Sequence, residues 1–209
     1  MEDGSNIPCS RPCYNMLDNL KKYKVILASN SPRRKELLGG LGIPYEVKTM
    51  PDIDESYPEG LGCEEIPVYI ARTKADAYRS VMQEDELIIT ADTIVWLDGI
   101  VMGKPKDETE ACNMLRQLAG HTHQVVTGVC ITTQSKQVSF ATVTDVTFAP
   151  LTEEEIAYYV TRYKPMDKAG AYGIQEWIGF VGVQNITGSY FNVVGLPIQR
   201  LYTELKTFA

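Results

Sequence analysis

A carboxylate interrupts one of the most apolar stretches of this chain, ELIITADTIVWL at residues 86–97. An acid inside an apolar strand is expensive unless it is paired, bound to a metal or turned into a cleft. Asp92 there has the chemistry of a general base; its plainer reading is a surface residue on an edge strand. A second charged feature lies at residues 27–38, LASNSPRRKELL. Ser31 reads as a helix cap and Pro32 as the first helical residue, which puts Arg33 and Arg34 in the first turn, against the helix macrodipole. Beside free backbone N–H groups they suit a strongly anionic ligand, most simply phosphates; alternatively both are solvated surface charges. Lys74 breaks the apolar helical face of Ile70, Ala71, Ala75 and Tyr78, so it either snorkels to the edge or points into a site. Lys104 is held between Gly103 and Pro105 near a strand end. The acidic loop at residues 51–62 offers Asp52, Asp54 and Glu55, either a solvated loop or oxygen ligands for a divalent cation. Gln175 carries both a donor and an acceptor, the equipment for reading a nucleobase edge, although alone it is an ordinary polar residue.

The elements that must position these groups follow from periodicity. Residues 25–28 read as a buried strand, 29–31 as a tight connection and 32–38 as a helix stopped by Gly39, Gly40 and Gly42. Extended structure resumes at 45–49. A helix covers 66–82, a long strand covers 87–97, and Asp98-Gly99 is a hairpin turn signal. A helix at 107–119 ends at Gly120, strands at 123–133 and 137–148 flank a polar turn, and Thr152 with Glu155 forms a capping box opening a helix to about Arg162. The chain is glycine-rich after Pro165, and a closing helix is expected at 197–207. Strands, helices and long hairpins together predict an α/β fold with a mixed, twisted sheet flanked by helices.

The 209 residues suffice for one domain with a real core, read as an N-terminal extension (1–23) followed by a domain at 24–209. A net charge of −7 excludes a broad nucleic-acid surface, so a polyanion must bind in a local basic pocket. No apolar run is long enough to span a bilayer, and the first residues lack the apolar core of a signal peptide. Five cysteines, Cys9, Cys13, Cys63, Cys112 and Cys130, form no CxxC pair; with only His121 and His123 present, a structural zinc is not expected and a reducing cytoplasm is.

LASNSPRRKELL, the Lys74-Ala75 pair, ADTIV, GKP, DKAGAYGIQ and GSYFNVVGLP from Gly188 together resemble the Maf family of septum-formation-inhibitor-like nucleoside triphosphate pyrophosphatases, over residues 24–205. The resemblance implies two lobes around a central cleft, as in inosine-triphosphatase-like folds. It also implies hydrolysis of a nucleoside triphosphate to the monophosphate and pyrophosphate with a divalent metal, magnesium or manganese. Asp92 matches the proton acceptor. Ser29, Arg34, Lys74 and Lys104 match phosphate-holding positions, with Lys168 as a further candidate. Glu55 matches an acidic position needed for activity, and Asp92 and Glu55 are the candidate metal ligands. Arg33, Thr93 and Gln175 match the specificity positions of a subgroup resembling dTTP/UTP pyrophosphatases, which implies activity on dTTP, UTP and 5-modified uridine triphosphates. A homodimer is implied as well. Two other readings stand beside this one: a non-catalytic nucleotide-binding regulator of cell division, and the same chemistry on 7-methyl-GTP or another modified nucleotide. Trp177 stands where the family commonly has a small residue, and either packs or stacks on a base.

Overall fold

The computed structural model describes residues 16–208; the readings made for residues 1–15, including Cys9 and Cys13, lie outside the described residues. Among these, seven strands form one mixed sheet in the order β2–β1–β3–β5–β6–β7, with β4 paired to β3. β1 (Lys24–Leu27) lies parallel to both β2 (Glu46–Val47) and β3 (Glu86–Leu97). The remaining pairings are antiparallel: β3 with β4 (Ile100–Met102) and β5 (Thr122–Thr132), β5 with β6 (Gln137–Phe148), and β6 with β7 (Val183–Thr187). Asp98 and Gly99 both have positive φ, at 48° and 88°, the backbone a two-residue hairpin demands, so the β3–β4 turn forms where its sequence signal lies.

One consequence of this pairing shapes the site. β1 covers Glu86 to Ile89 of β3, and β4 covers Val95 to Leu97 on the same strand, while β5 runs along residues 88–96. Between β1 and β4 the edge of β3 therefore has no strand partner, and Asp92 and Thr93 sit in that notch. They are half-buried residues in a strand that is otherwise almost wholly buried.

The helices close over the sheet. α1 (Pro32–Gly39) is capped by Ser31, whose hydroxyl accepts the Arg34 N–H at 3.4 Å. α2 (Glu65–Arg79) buries Ile66, Ile70, Ala71, Ala75 and Tyr78 against β3 and β5. It crosses β5 so closely that a Cβ on Gly128 would come within 2.2 Å of the Pro67 backbone, so glycine is required there. α3 (Glu108–Leu118) and α4 (Glu153–Tyr163) pack on each other, and α4 starts with the expected capping box of Thr152 and Glu155. α7 (Ile198–Thr207) completes a core with Leu17 and Leu20, while Asn19 donates to the carbonyls of Leu205 and Phe208, so the chain preceding β1 is packed from Leu17 onward.

The glycine-rich stretch holds more structure than its sequence suggested: α5 (Trp177–Gly182), β7 and α6 (Tyr190–Val194). Each spans six residues or fewer, too short for apolar periodicity to register. Their positions come from tertiary bonds. Asn192 on α6 donates to Val125 O at 2.9 Å and to the Thr144 hydroxyl at 3.0 Å.

Candidate active site

The notch in β3 opens into a cavity of about 910 Å³ at the carboxyl end of β1. The ten residues matched to the family's site positions line it: Ser29, Arg33, Arg34, Glu55, Lys74, Asp92, Thr93, Lys104, Lys168 and Gln175. They come from strand ends, helix starts and loops widely separated along the chain, and the topology gathers them around one hollow.

At its centre Lys74 Nζ lies 2.9 Å from Asp92 Oδ1 and 3.0 Å from Glu55 Oε1. The Lys74 and Asp92 side chains are 14% and 15% exposed, whereas Glu55 is 55% exposed on its loop. Of the two readings open for Lys74, the structure takes the second: the side chain leaves the apolar face of α2 and points into the site. Two carboxylates converging on one ammonium also constitute a donor set suited to a hard divalent cation, which favours oxygen ligands and readily completes its shell with water and phosphate. Among the described residues no group of three or more His, Cys, Asp or Glu gathers to hold a metal by protein ligands alone.

Arg34 is tied into the protein. Its Nε donates to Gly195 O at 2.8 Å, Nη1 to Ala91 O at 2.8 Å and Nη2 to Thr93 Oγ1 at 3.0 Å. The carbonyl of Ala91 is thus satisfied by a guanidinium in the stretch of β3 that lacks a strand partner. Three N–H groups are engaged in this way, and the remaining ones are left for a ligand. Burial lowers the Arg34 pKa, Asp92 and Glu55 oppose that effect, and Arg33 adds to it; a guanidinium remains charged regardless. Thr93 Oγ1 also lies 2.9 Å from Thr127 Oγ1, which in turn donates to Asn192 O at 3.2 Å, so the Thr93 hydroxyl is a link in a chain reaching α6.

The other cations are distributed unequally. Arg33 Nη1 pairs with Asp167 at 3.2 Å, and Lys168 Nζ pairs with Asp167 at 2.7 Å and Glu176 at 3.1 Å. Desolvation works to raise the Asp167 pKa, but hydrogen bonds and charge from Lys168 and Arg33 outweigh it and hold the carboxyl below its ordinary value. Lys104 is exposed on the wall and makes no ion pair with the described residues. Ser29 is buried and its hydroxyl accepts the Ser31 N–H at 3.2 Å. Gln175 is exposed at the wall, and its amide makes no hydrogen bond with the described residues.

Sequence reasoning missed Asp167 and Glu176 as partners, along with Tyr159, Thr127 and the carbonyl of Gly195. Asp167 opens the DKAGAYGIQ segment and Glu176 follows it, and both had a signal in their charge; backbone carbonyls have none. Trp177 meets Tyr158 edge-on with ring centroids 4.9 Å apart and is absent from the cavity wall, so it packs and does not stack on a base.

Residues 24–208 match the family described as Maf-like protein. The dTTP/UTP pyrophosphatase of Phocaeicola vulgatus is 71% identical over 191 residues, covering 91% of this chain and 99% of that relative. The protein of that name from Parabacteroides distasonis is 61% identical over 193 residues, covering 92% and 100%. The one from Flavobacterium johnsoniae is 45% identical over 190 residues, covering 91% and 97%. Among solved structures, a HAM1 protein from Coxiella burnetii aligns over 90% of this chain and 100% of its own at 15% identity and a TM-score of 0.46.

Proposed function

The chain belongs to the Maf-like protein family, and on that premise we propose that it hydrolyses nucleoside triphosphates, dTTP and UTP foremost, to the monophosphate and pyrophosphate. The observation that carries this reading is the Asp92 carboxylate, joined to Lys74 at 2.9 Å and set in a cavity whose wall also holds Arg33, Arg34 and Lys104. A base facing a cation-lined hollow is what attack of water on a phosphate anhydride requires. Asp92 takes a proton from the attacking water as its oxygen bonds to the α-phosphorus. The bond from that phosphorus to the bridging oxygen breaks, and pyrophosphate leaves with the electron pair. Lys74 orients the Asp92 carboxylate. Lys104, with no ion pair among the described residues, is available to neutralise the departing diphosphate. The N–H groups that Arg34 has not committed face the same task.

Glu55 and Asp92 are the residues to hold a divalent cation, magnesium or manganese, together with phosphate oxygens and water. Such an ion would supply charge neutralisation on the phosphates and lower the pKa of a bound water.

Base choice rests on Gln175. Its amide offers a donor and an acceptor to the 4-oxo and N3–H groups shared by uracil and thymine, and substituents at carbon 5 leave that edge untouched. Arg33 and Thr93 complete the specificity positions, Thr93 by holding Arg34 and α6 in place. A homodimer and a cytoplasmic setting belong to the same proposal. Phe180, 82% exposed on α5, supports the first by leaving a large aromatic uncovered. The free thiols of Cys63, Cys112 and Cys130 accord with the second.

The test is pyrophosphate release, with magnesium or manganese, across dTTP, UTP, 5-modified UTP, CTP, ITP and 7-methyl-GTP. Preference for the uracil and thymine nucleotides is expected, with pyrophosphate and not orthophosphate as product. Preference for 7-methyl-GTP or ITP refutes the pyrimidine assignment and leaves the chemistry standing. No release from any of them favours the non-catalytic regulator.

A further inference from the structure

We propose that Tyr159 and Glu176 are positioning residues that set the base selectivity of the site by fixing the turn on which Gln175 is presented. The inference rests on the pyrimidine nucleoside triphosphate pyrophosphatase reading above and extends it to groups that line no part of the reacting centre.

The Gln175 side chain is exposed and makes no hydrogen bond with the described residues, so the backbone beneath it sets where its amide can reach in the cavity. That backbone is the four-residue turn from Gly173 to Glu176, closed by Glu176 N–H donating to Gly173 O at 2.9 Å. A single hydroxyl grips both ends of the turn. Tyr159, fully buried on α4, accepts the Gly173 N–H at 3.0 Å and donates to the Glu176 carboxylate. The other Glu176 oxygen takes the Lys168 ammonium at 3.1 Å, which also holds Asp167 and through it Arg33.

The surroundings leave the turn little room to shift. A Cβ on Gly173 would meet Glu176 Cδ and Lys168 Cε at 3.0 Å, and one on Gly179 would fall 1.8 Å from Ile174 O. Ile174, between Gly173 and Gln175, is itself buried. Reading a base with both ends of one amide requires its placement to within about 0.5 Å, a tolerance set by packing and hydrogen bonds behind the contact residue. Here that support comes down to one phenol and one carboxylate. Lys168, a phosphate-holding candidate by resemblance, has its ammonium engaged by two carboxylates and so acts on the turn's side of the cavity.

Tyr159→Phe removes the hydroxyl and keeps the ring that stacks on Tyr163. Glu176→Gln keeps an acceptor for the Tyr159 hydroxyl and loses the charge that holds Lys168. For each variant, KM and kcat are measured with dTTP, UTP and CTP, together with inhibition by inorganic tripolyphosphate, which has no base. Loss of the Tyr159 hydroxyl with its two bonds, or of the Glu176 charge that strengthens one of them and holds Lys168, predicts a rise of about tenfold in KM for dTTP and UTP. kcat and tripolyphosphate inhibition should stay within about twofold, and the preference for dTTP over CTP should fall by about tenfold. In a Gln175→Ala background Tyr159→Phe should change that preference no further, because both act through one group. An unchanged preference in the folded variants overturns the proposal. So does weakened tripolyphosphate inhibition in step with KM, which marks a general disturbance of the cavity. If Tyr159→Phe fails to fold, Glu176→Gln decides by the same criteria. A wild-type protein inactive on pyrimidine triphosphates defeats the functional reading itself, whereas an active wild type with unaltered ranking in the variants defeats only this inference.

Discussion

Lys74 Nζ lies 2.9 Å from Asp92 Oδ1, joining the polar break in the apolar face of α2 to the polar break in the apolar strand β3. Each residue is an anomaly within its own element, and each accounts for the other. Both side chains are mostly buried, so neither is a surface charge held by chance, and the other carboxylate on Lys74, Glu55, comes from a loop. The pair sits where β1 and β4 leave β3 uncovered, so the sheet's own pairing makes room for a substrate beside the carboxylate.

Asp92→Asn retains the size and the hydrogen-bonding capacity of the side chain and removes the base. We expect kcat for pyrophosphate release to fall by about 10²–10⁴-fold while nucleotide affinity, measured by calorimetry, stays within about threefold. Near-normal turnover in this variant would remove Asp92 from the chemistry.

Glu55→Gln separates two roles for the loop carboxylate. As a partner of Lys74 alone, a half-exposed ion pair is worth no more than about 1 kcal/mol, and activity would drop only a few-fold. As a ligand of a divalent cation, its loss should raise the metal concentration for half-maximal activity by about tenfold or more, with activity partly restored at high metal. We expect the second result, because Glu55 and Asp92 converge on one cation, the Lys74 ammonium. An unchanged metal titration curve would leave Glu55 with the ion pair only.

Arg34→Met should destabilise the protein and impair turnover together. The substitution removes the guanidinium donors of the Ala91 and Gly195 carbonyls and of the Thr93 hydroxyl, leaving Gly195 O only the Thr93 hydroxyl at 3.5 Å and Thr93 its Thr127 contact. Unpaired buried acceptors cost about 1–3 kcal/mol each, reduced here by relief of a buried charge, so a loss of about 2–4 kcal/mol in urea unfolding is expected. Arg34→Lys should recover little of it, since one ammonium cannot span three acceptors on separate segments. Full rescue by lysine would show that charge alone matters at this position.

The legible part of this site was the part that broke a pattern. Asp92 in an apolar strand, Lys74 on an apolar helix face and two arginines at the wrong end of a helix each violate a local rule, and all line the cavity. What the sequence withheld was what each residue touches. Arg34 reads as a phosphate ligand because its charge is visible, whereas the carbonyls of Ala91 and Gly195 that hold it look like any others. Tyr159 falls on the buried face of α4 with Ile156 and Val160, so its hydroxyl is invisible to periodicity. The long elements emerged close to their observed bounds, including the hairpin of β5 and β6. α5, β7 and α6 did not, because tertiary bonds place them and not their own periodicity.

His123 gives the fold a pH dependence separate from catalysis. It is buried on β5 between Phe148 and Tyr172, with ring centroids at 5.1 and 5.4 Å; Nε2 lies 2.8 Å from the Tyr172 hydroxyl, and Nδ1 has no partner among the described residues. Burial lowers its pKa from 6.5 to about 4, so the folded protein keeps the ring neutral where the unfolded chain protonates it. Between those values the unfolded state binds more protons. The contribution is therefore complete above about pH 6.5 and is lost as pH falls through about 4. A tenfold change in proton affinity corresponds to about 1.4 kcal/mol, so the loss across that window amounts to about 3 kcal/mol. Urea midpoints measured from pH 7 to pH 4 should fall accordingly, and His123→Phe should flatten that part of the profile even though it strands the Tyr172 hydroxyl and lowers stability throughout. A variant with the wild-type slope would remove His123 as the source of that acid sensitivity; Asp167, whose pKa Lys168 and Arg33 hold below its ordinary 3.8 in the folded state, loses its contribution only as pH falls below that window.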